Sequence, residues 1–404
     1  MWQAIQQNKI KSVILIISMG ILLVMLGAAI GGSVTGSQDG ILGGVFLAGL
    51  AWFFLTVLAV LEGKNILLSL SGAREVSHDD APQLYNIVEE MRIAAALPAT
   101  PKVFIIESRA PNAFAVGTPS NAAVAVTTGL LSVLSRDELQ GVIAHEIGHV
   151  KNQDSRFMTL AGIMLGVIVV LADVYTRSMF YGGMGSRRSS SSSRDGGGNQ
   201  LQLILFVIAI VLAILAPILA NLLYFACSRS REYLADASAA IFTRYPEGLA
   251  SALEKISRST IPLESANRVT APMYIINPLN KASGNAVFSL FSTHPPTEER
   301  IKILRTMASG AGLGEYNKAY ASLKGGNIAG GSDLRSAEEL ELRGIKREQP
   351  AFDRKQQTRD ANDILLRVNK FNFIDCACGL RIKVPPMFSA KSVNCPRCGA
   401  KHEI

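Results

Sequence analysis

Four stretches of this chain carry too few charges to rest in water. Residues 12–38 contain no charged side chain, and neither do residues 41–61. A helix of about 20 apolar residues crosses a bilayer, and each stretch is long enough to do so. A third run, residues 157–172, is shorter and is followed by Asp173. A fourth, residues 200–227, is long and contains Pro217, where a kink is expected. The alternative for the last two is burial as core helices, which length alone favours less for the fourth than for the third. The first run follows Lys9 and Lys11 as a signal peptide would. Its apolar core exceeds the usual ~7–15 residues and a second span follows at once, so it reads as a membrane anchor.

Lysine and arginine orient the spans. Lys9 and Lys11 precede the first; Lys64 and Arg74 follow the second; the short turn between them has Asp39 and no basic residue. Both flanks are therefore expected in the cytoplasm. The chain is 49% apolar and 18% charged with a net charge of +8, much of it beside the spans. Residues 333–404 hold 14 Lys and Arg against 10 Asp and Glu, too small an excess to imply nucleic-acid binding. The lipid bilayer is the expected partner.

Between the spans lies polar sequence with structure of its own. Residues 77–97 show helical periodicity, with Leu84, Ile87, Val88 and Met91 on one face and Ser77 and Asp80 as candidate caps. Residues 102–106 (KVFII) and 122–128 (AAVAVTT) read as strands, with Gly117 and Pro119 marking a turn region between them. Ser135, followed three residues later by Glu138, is a capping box that opens a helix. Residues 183–199, rich in Ser, Gly and Arg, are expected to form a mobile loop. Residues 228–242 read as helix, and residues 294–304 open a helix with proline in its first turn.

The helix begun at Ser135 contains AHEIGH, residues 144–149, which uses two of only five histidines in the chain. Positions i and i+4 share a helix face, so His145 and His149 stand roughly 6 Å apart at Cβ and can bind one zinc. Glu146 is turned about 60° from His149 and borders the same site. Zinc acidifies water towards pKa ~7, and a carboxylate at that place can take its proton during attack on a carbonyl. Gly141, Ala144 and Gly148 form a ridge of small residues on another face. Each helical glycine costs about 1 kcal/mol against alanine, so two together imply close packing against another element. A catalytic zinc takes three protein ligands. Glu232 and Asp236, four apart on one helix, supply two carboxylates: one would bind metal and one would hold a histidine N–H, the alternative being that both pair with Arg229 or Arg231. Spacing alone leaves open which does which.

At this point the sequence resembles the HtpX-type membrane zinc endopeptidases, kin to the CAAX prenyl proteases and to the mitochondrial stress protease of the same clan. The resemblance runs from about residue 10 to 305. It rests on four boxes in order: PNAFAVG (111–117), AVTTGLLSVLSRDELQGVIAHEIGH (125–149), SREYLADASAA (230–240) and THPPTEERI (293–301). It implies zinc on His145, His149 and Glu232, with Glu146 as general base and Asp236 as the acid behind a ligand. It implies His294 near the oxyanion and Asn112 beside the substrate. It further implies cleavage of misfolded or membrane proteins in the cell (inner) membrane, with the active site facing the cytoplasm. The prenyl proteases have more than four spans, so the quality-control branch fits better; an inactive scaffold is opposed by the retention of Glu146 with all three ligands.

Beyond about residue 310 the resemblance stops. Cys376 and Cys378, then Cys395 and Cys398, stand 16 residues apart. This resembles a zinc ribbon holding a second, structural zinc on four cysteines. The first pair is C-x-C rather than C-x-x-C, disulfides are the alternative, and His402 could replace one cysteine. The module's partner is unknown. The expected fold is α+β and mainly helical, a zincin-type membrane metallopeptidase plus a small ribbon. Its parts are a membrane hairpin (1–64), a first catalytic part (65–157), two further spans (158–226) around a mobile loop (177–200), and a second catalytic part with the third ligand (227–310). A linker with solvated helices (311–370) and the ribbon (371–404) complete it.

Two rules conflict over the third and fourth runs. Ligands on both sides of them require an even number of crossings. Two crossings place residues 177–200 opposite the active site, yet that loop holds Arg177, Arg187, Arg188 and Arg194, which the charge rule keeps cytoplasmic. Coordination tolerates only tenths of an ångström, so metal geometry takes precedence and two full crossings are expected; the alternative is a shallow hairpin that never crosses, since the third run is short and acidic at its end.

Overall fold

The computed structural model describes residues 2–181, 198–264, 270–276, 295–307, 310–335, 340–343, 353–388, 390 and 392–403. In chain order they form α1 (Trp2–Thr35), α2 (Gln38–Leu70), β1 (Arg74–Glu75), α3 (Pro82–Ala94), β2 (Lys102–Ile106), β3 (Ala113–Thr118) and β4 (Asn121–Thr127). Then come α4 (Thr128–Val133), α5 (Arg136–Lys151), α6 (Asp154–Tyr181), α7 (Gly198–Thr243), α8 (Pro246–Arg258), α9 (Thr297–Thr306) and α10 (Leu313–Lys324). The chain ends with α11 (Gly331–Arg335), α12 (Arg354–Val368), β5 (Asn372–Asp375), β6 (Arg381–Val384), β7 (Ser392–Asn394) and β8 (Lys401–Glu403).

Four segments are long and apolar enough to cross a membrane: Ile5–Thr35, Gln38–Leu70, Met158–Ser178 and Leu203–Leu222. They pack as one bundle whose interior holds Met19, Leu23 and Leu26 of α1, Met164 and Ile168 of α6, and Ala209, Ala213, Ala216 and Ala220 of α7. The alanines recur every three to four residues, so a small-residue face of α7 lies against its neighbours. Phe46, Phe53 and Phe54 of α2 point outward and exposed, as lipid-facing residues would. The third run is longer than its apolar sequence suggested, because α6 continues through Asp173 to 28 residues, about 42 Å of helix. At Pro217 α7 stays continuous, and the Pro217 carbonyl accepts from Asn221 Nδ2 at 2.7 Å. Of the loop expected at 183–199, only Gly198 and Asn199 lie within the described residues, where they open α7; the rest lies outside them.

On the polar end of the bundle sits a body built on a four-stranded sheet of order β1-β2-β4-β3. β2 and β4 are parallel, with Val103 opposite Val124; β3 returns antiparallel on β4, with Phe114 opposite Ala125. The turn around Gly117 and Pro119 thus closes a hairpin whose first strand, β3, is a sheet edge. α3 starts one turn later than a Ser77 cap would place it and one residue later than an Asp80 cap would. Its N-cap is Ala81 with Pro82 at the first position, while Asp80 is committed to the Ser77 N–H and hydroxyl. The capping box of α5 forms as expected. Glu138 in that box also accepts from Ser251 Oγ (2.6 Å) and Lys255 Nζ (2.7 Å), tying α8 to the start of α5.

The small ridge of α5 receives two partners. A Cβ on Gly141 would lie 2.6 Å from Leu249 N of α8, and one on Gly148 would lie 3.0 Å from Ser238 Cβ of α7. α5 thereby becomes a buried central helix. The stretch expected as a solvated linker departs from that reading at its start. Leu313, Tyr316 and Ala319 of α10 join the core of the body, and Arg343 straps across α5 to Gln140 Oε1 (2.9 Å) and Asp137 Oδ1 (2.7 Å).

Candidate metal centre

Helix geometry turns both α5 histidines to one side, with ring centroids 4.7 Å apart and planes at 87°. α7 brings its last turns across them. His145 Nε2 lies 3.2 Å from His149 Nε2 and 3.8 Å from Glu232 Oε2, and His149 Nε2 lies 3.4 Å from Glu232 Oε1. Tetrahedral zinc with ~2.0–2.1 Å bonds sets its ligand atoms about 3.3 Å apart. The observed spacing fits that ion, and the two imidazoles with one carboxylate match the donor set of a catalytic zinc. All three donors are buried or nearly so.

Asp236, one turn beyond Glu232, takes the other side of His145. Its Oδ1 lies 2.9 Å from His145 Nδ1, which leaves Nε2 to face the other donors. Asp236 is in turn gripped by Arg300 of α9, whose Nε and Nη2 reach the two carboxylate oxygens at 2.9 and 2.7 Å. Arg300 Nη1 also stands 3.2 Å from Glu232 Oε2. Its Nη2 is 3.4 Å from both ring nitrogens of His145, so the guanidinium lies against the imidazole. Arg300 is 0% exposed. Sequence reading did not single it out, although a signal was present: Arg300 shares the buried face of α9 with Ile303 and Leu304. A cation on the apolar side of an amphipathic helix requires a buried anion.

Glu146 is 1% exposed, and its Oε1 has no hydrogen-bond partner among the described residues. Its carboxylate takes a hydrogen bond from the backbone of Ala115 on β3, which sets the edge strand alongside the site. Burial, aided by the charge of Glu232, raises the Glu146 carboxyl to about 7. Burial likewise lowers His145 to about 4, because the charged imidazole loses its water. His149 goes the other way. Burial disfavours its charge, but Asp154 and Glu232 outweigh that and bring it to about 10. For Asp236, burial opposes ionisation and the Arg300 charge overcomes it, holding the carboxyl below its ordinary value.

Asn112 sits at the start of β3, 4% exposed. Its Nδ2 donates to Ile276 O (2.8 Å), and its Oδ1 accepts from Ala113 N (3.1 Å) and Ile276 N (3.4 Å). Both ends of the amide are therefore committed to backbone, clamping the 271–276 segment against the strand. His294 lies outside the described residues.

A second cluster forms in the tail. Cys376 Sγ and Cys398 Sγ are 3.4 Å apart, and Cys378 Sγ and Cys395 Sγ are 3.6 Å apart. A disulfide would need about 2.05 Å; all four thiols are free. Zinc–sulfur bonds of ~2.3 Å put tetrahedral sulfurs about 3.8 Å apart, close to these values. Each half is a hairpin, β5–β6 and β7–β8, whose turn passes through a left-handed glycine, Gly379 (φ 81) or Gly399 (φ 75). C-x-C and C-x-x-C thus serve equally, because each ends on the glycine that bends the turn. The Arg397 and Cys398 backbone amides outweigh burial and draw the Cys395 thiol down to about 6. His402 is not among the clustered donors.

Known proteins resemble the part of the chain that carries the histidine site. Residues 78–308 match the sequence profile of peptidase family M48. A protease HtpX homolog of Dictyoglomus turgidum (strain DSM 6724 / Z-1310) is 48% identical over 307 residues, covering 76% of this chain and 94% of the relative. One from Listeria monocytogenes serotype 4a (strain HCC23) is 40% identical over 309 residues, covering 76% of this chain and all of the relative. The crystal structure of S. mikatae Ste24p overlaps 75% of this chain and 67% of its own, at 21% identity and a TM-score of 0.39.

Proposed function

This chain belongs to peptidase family M48, and on that premise we propose that it is a membrane-bound, zinc-dependent endopeptidase of protein quality control. Its substrates are misfolded or membrane-embedded proteins. The observation that carries the reading is the meeting of His145, His149 and Glu232 at zinc-compatible spacing beside Glu146, whose Oε1 has no partner among the described residues. Bound zinc supplies Lewis acidity to the scissile carbonyl and to water. The chain's own residues do the rest. Glu146 takes the proton of the attacking water and returns it to the leaving amine. Asp236, held by Arg300, keeps His145 in the tautomer that presents Nε2. His294 steadies the oxyanion.

An extended substrate adds to the edge of β3 beyond Ala113, whose carbonyl already accepts from Ile275 N (2.9 Å), and main-chain hydrogen bonds there give affinity without demanding a particular sequence. Asn112 acts there by fixing the end of that edge through its backbone bonds. The four cysteines hold a second, structural zinc, and no residue of the ribbon belongs to the catalytic set. We place the protein in the cell (inner) membrane with the active site towards the cytoplasm, because Lys9, Lys11, Lys64 and Arg74 flank the first two spans on that side.

The test is hydrolysis of an unfolded protein by the detergent-purified full chain, with and without zinc. Glu146→Gln should keep its zinc and lose ~10²–10⁴-fold in turnover. Near-wild-type turnover in that variant, or undiminished hydrolysis after complete metal removal, refutes the reading.

A further inference from the structure

Behind His145 stand a carboxylate and a buried arginine, Asp236 and Arg300. A similar, looser arrangement stands behind His149, built from α6 and α7 rather than from α7 and α9. Asp154 Oδ2 lies 3.6 Å from His149 Nδ1, and Asp154 Oδ1 lies 3.7 Å from Arg231 Nε. Asp154 and Arg231 are each 1% exposed. Asp154 Oδ2 has no hydrogen-bond partner among the described residues, and a buried carboxylate oxygen left unpaired is costly. His149 Nδ1 is the ring nitrogen that faces it, while Nε2 faces Glu232 and His145.

We propose that Asp154 is a positioning residue of the metal centre. It holds His149 as the Nδ1–H tautomer and presents Nε2 to the ion, with Arg231 holding the carboxylate in place. The inference rests on the zinc reading of the site above. Metal-binding histidines regularly donate their second N–H to a carboxylate, and a carboxylate this deep needs a cation beside it. The gap of 3.6 Å is about half an ångström beyond a formed hydrogen bond, and a small rotation of the ring closes it. The placement also has a consequence for the membrane. Asp154 is the first residue of α6, and Arg231 follows the apolar part of α7. The pair therefore pins the feet of two membrane helices to one metal ligand, whereas Asp236 and Arg300 pin the other ligand to the body.

The experiment uses the full chain in detergent, loaded with cobalt. The two sites are told apart because only the four-cysteine site gives thiolate-to-metal charge transfer. Asp154→Asn should bind metal at the histidine site ~10–100-fold more weakly. It should also shift the ligand-field bands of that site, while the tail's charge-transfer bands and the metal-free unfolding temperature stay near wild type. A folded Asp154→Asn variant with wild-type affinity and bands overturns the inference. So does a lowered unfolding temperature with unchanged affinity, which marks a purely structural ion pair. If Asp154→Asn does not fold, Asp154→Asn with Arg231→Met leaves no lone buried charge and carries the same expectation. A wild-type chain that takes metal only at the cysteines refutes the zinc reading itself, and this inference with it.

Discussion

Arg300→Met is the substitution that most directly tests how the buried charges of the site are balanced. Methionine fills similar volume but leaves Asp236, 0% exposed, without the two hydrogen bonds of 2.7 and 2.9 Å that neutralise it. It also removes the cation 3.2 Å from Glu232. Breaking one side of a buried pair costs ~3–5 kcal/mol, because the remaining charge is stranded. At about 2–4 °C per kcal/mol for a body of this size, the metal-free protein should unfold roughly 6–20 °C lower. Both tryptophans, Trp2 and Trp52, lie in membrane helices, so tryptophan fluorescence would miss the event. Near-UV circular dichroism is suitable, since Tyr274 and Tyr316 are fully buried in the body. Adding Asp236→Asn removes the stranded charge and should restore stability, with a coupling of ~0.5–3 kcal/mol in the double-mutant cycle. A loss below about 1 kcal/mol in the single variant, together with strictly additive effects in the double, would refute the argument.

Truncation should divide the C-terminal region in two. Removing residues 369–404 should leave hydrolysis of an unfolded substrate intact, whereas removing 311–404 should abolish it, because Leu313, Tyr316 and Ala319 belong to the core of the body. Residues 369–404 alone should fold only with zinc, as a module this small lacks an adequate core; equal structure in excess chelator would contradict the ribbon. Gly141→Ala gains about 1 kcal/mol of helix propensity, yet it should lower the unfolding temperature because its Cβ meets Leu249 backbone at 2.6 Å; a stabilised variant would show that α8 can move away. Ser190→Cys in sealed vesicles should react only from the face opposite the active site; reaction only from the cytoplasmic face would leave two true spans.

The parts of the site that were legible in the sequence lie within one unbroken helix. His145, Glu146 and His149 could be placed because a single period governs them, and the capping box marked where that period starts. The same rule put Glu232 and Asp236 on one face without ranking them. Their distinct places depend on which imidazole nitrogen each meets, and that is decided by how α7 crosses α5. Periodicity reports whether a position meets water or protein, not which partner it meets. β3 escaped notice for a related reason: Ala113–Val116 is buried on both faces, so no alternation marks it as a strand. α10 was hidden by Gly314, Glu315 and Lys318, which are spaced among its four buried positions. Asp154 shows the limit most clearly. It lies five residues after His149, and extending α5 would carry it well off the histidine face. The helix ends at Lys151 instead, and Gln153 takes a left-handed φ of 61. The chain then restarts as α6 with Asp154 turned back beneath His149. A single residue's backbone conformation thus moves a carboxylate into range of the metal centre. Helical spacing could not foresee that, because the spacing rule holds only while the helix lasts.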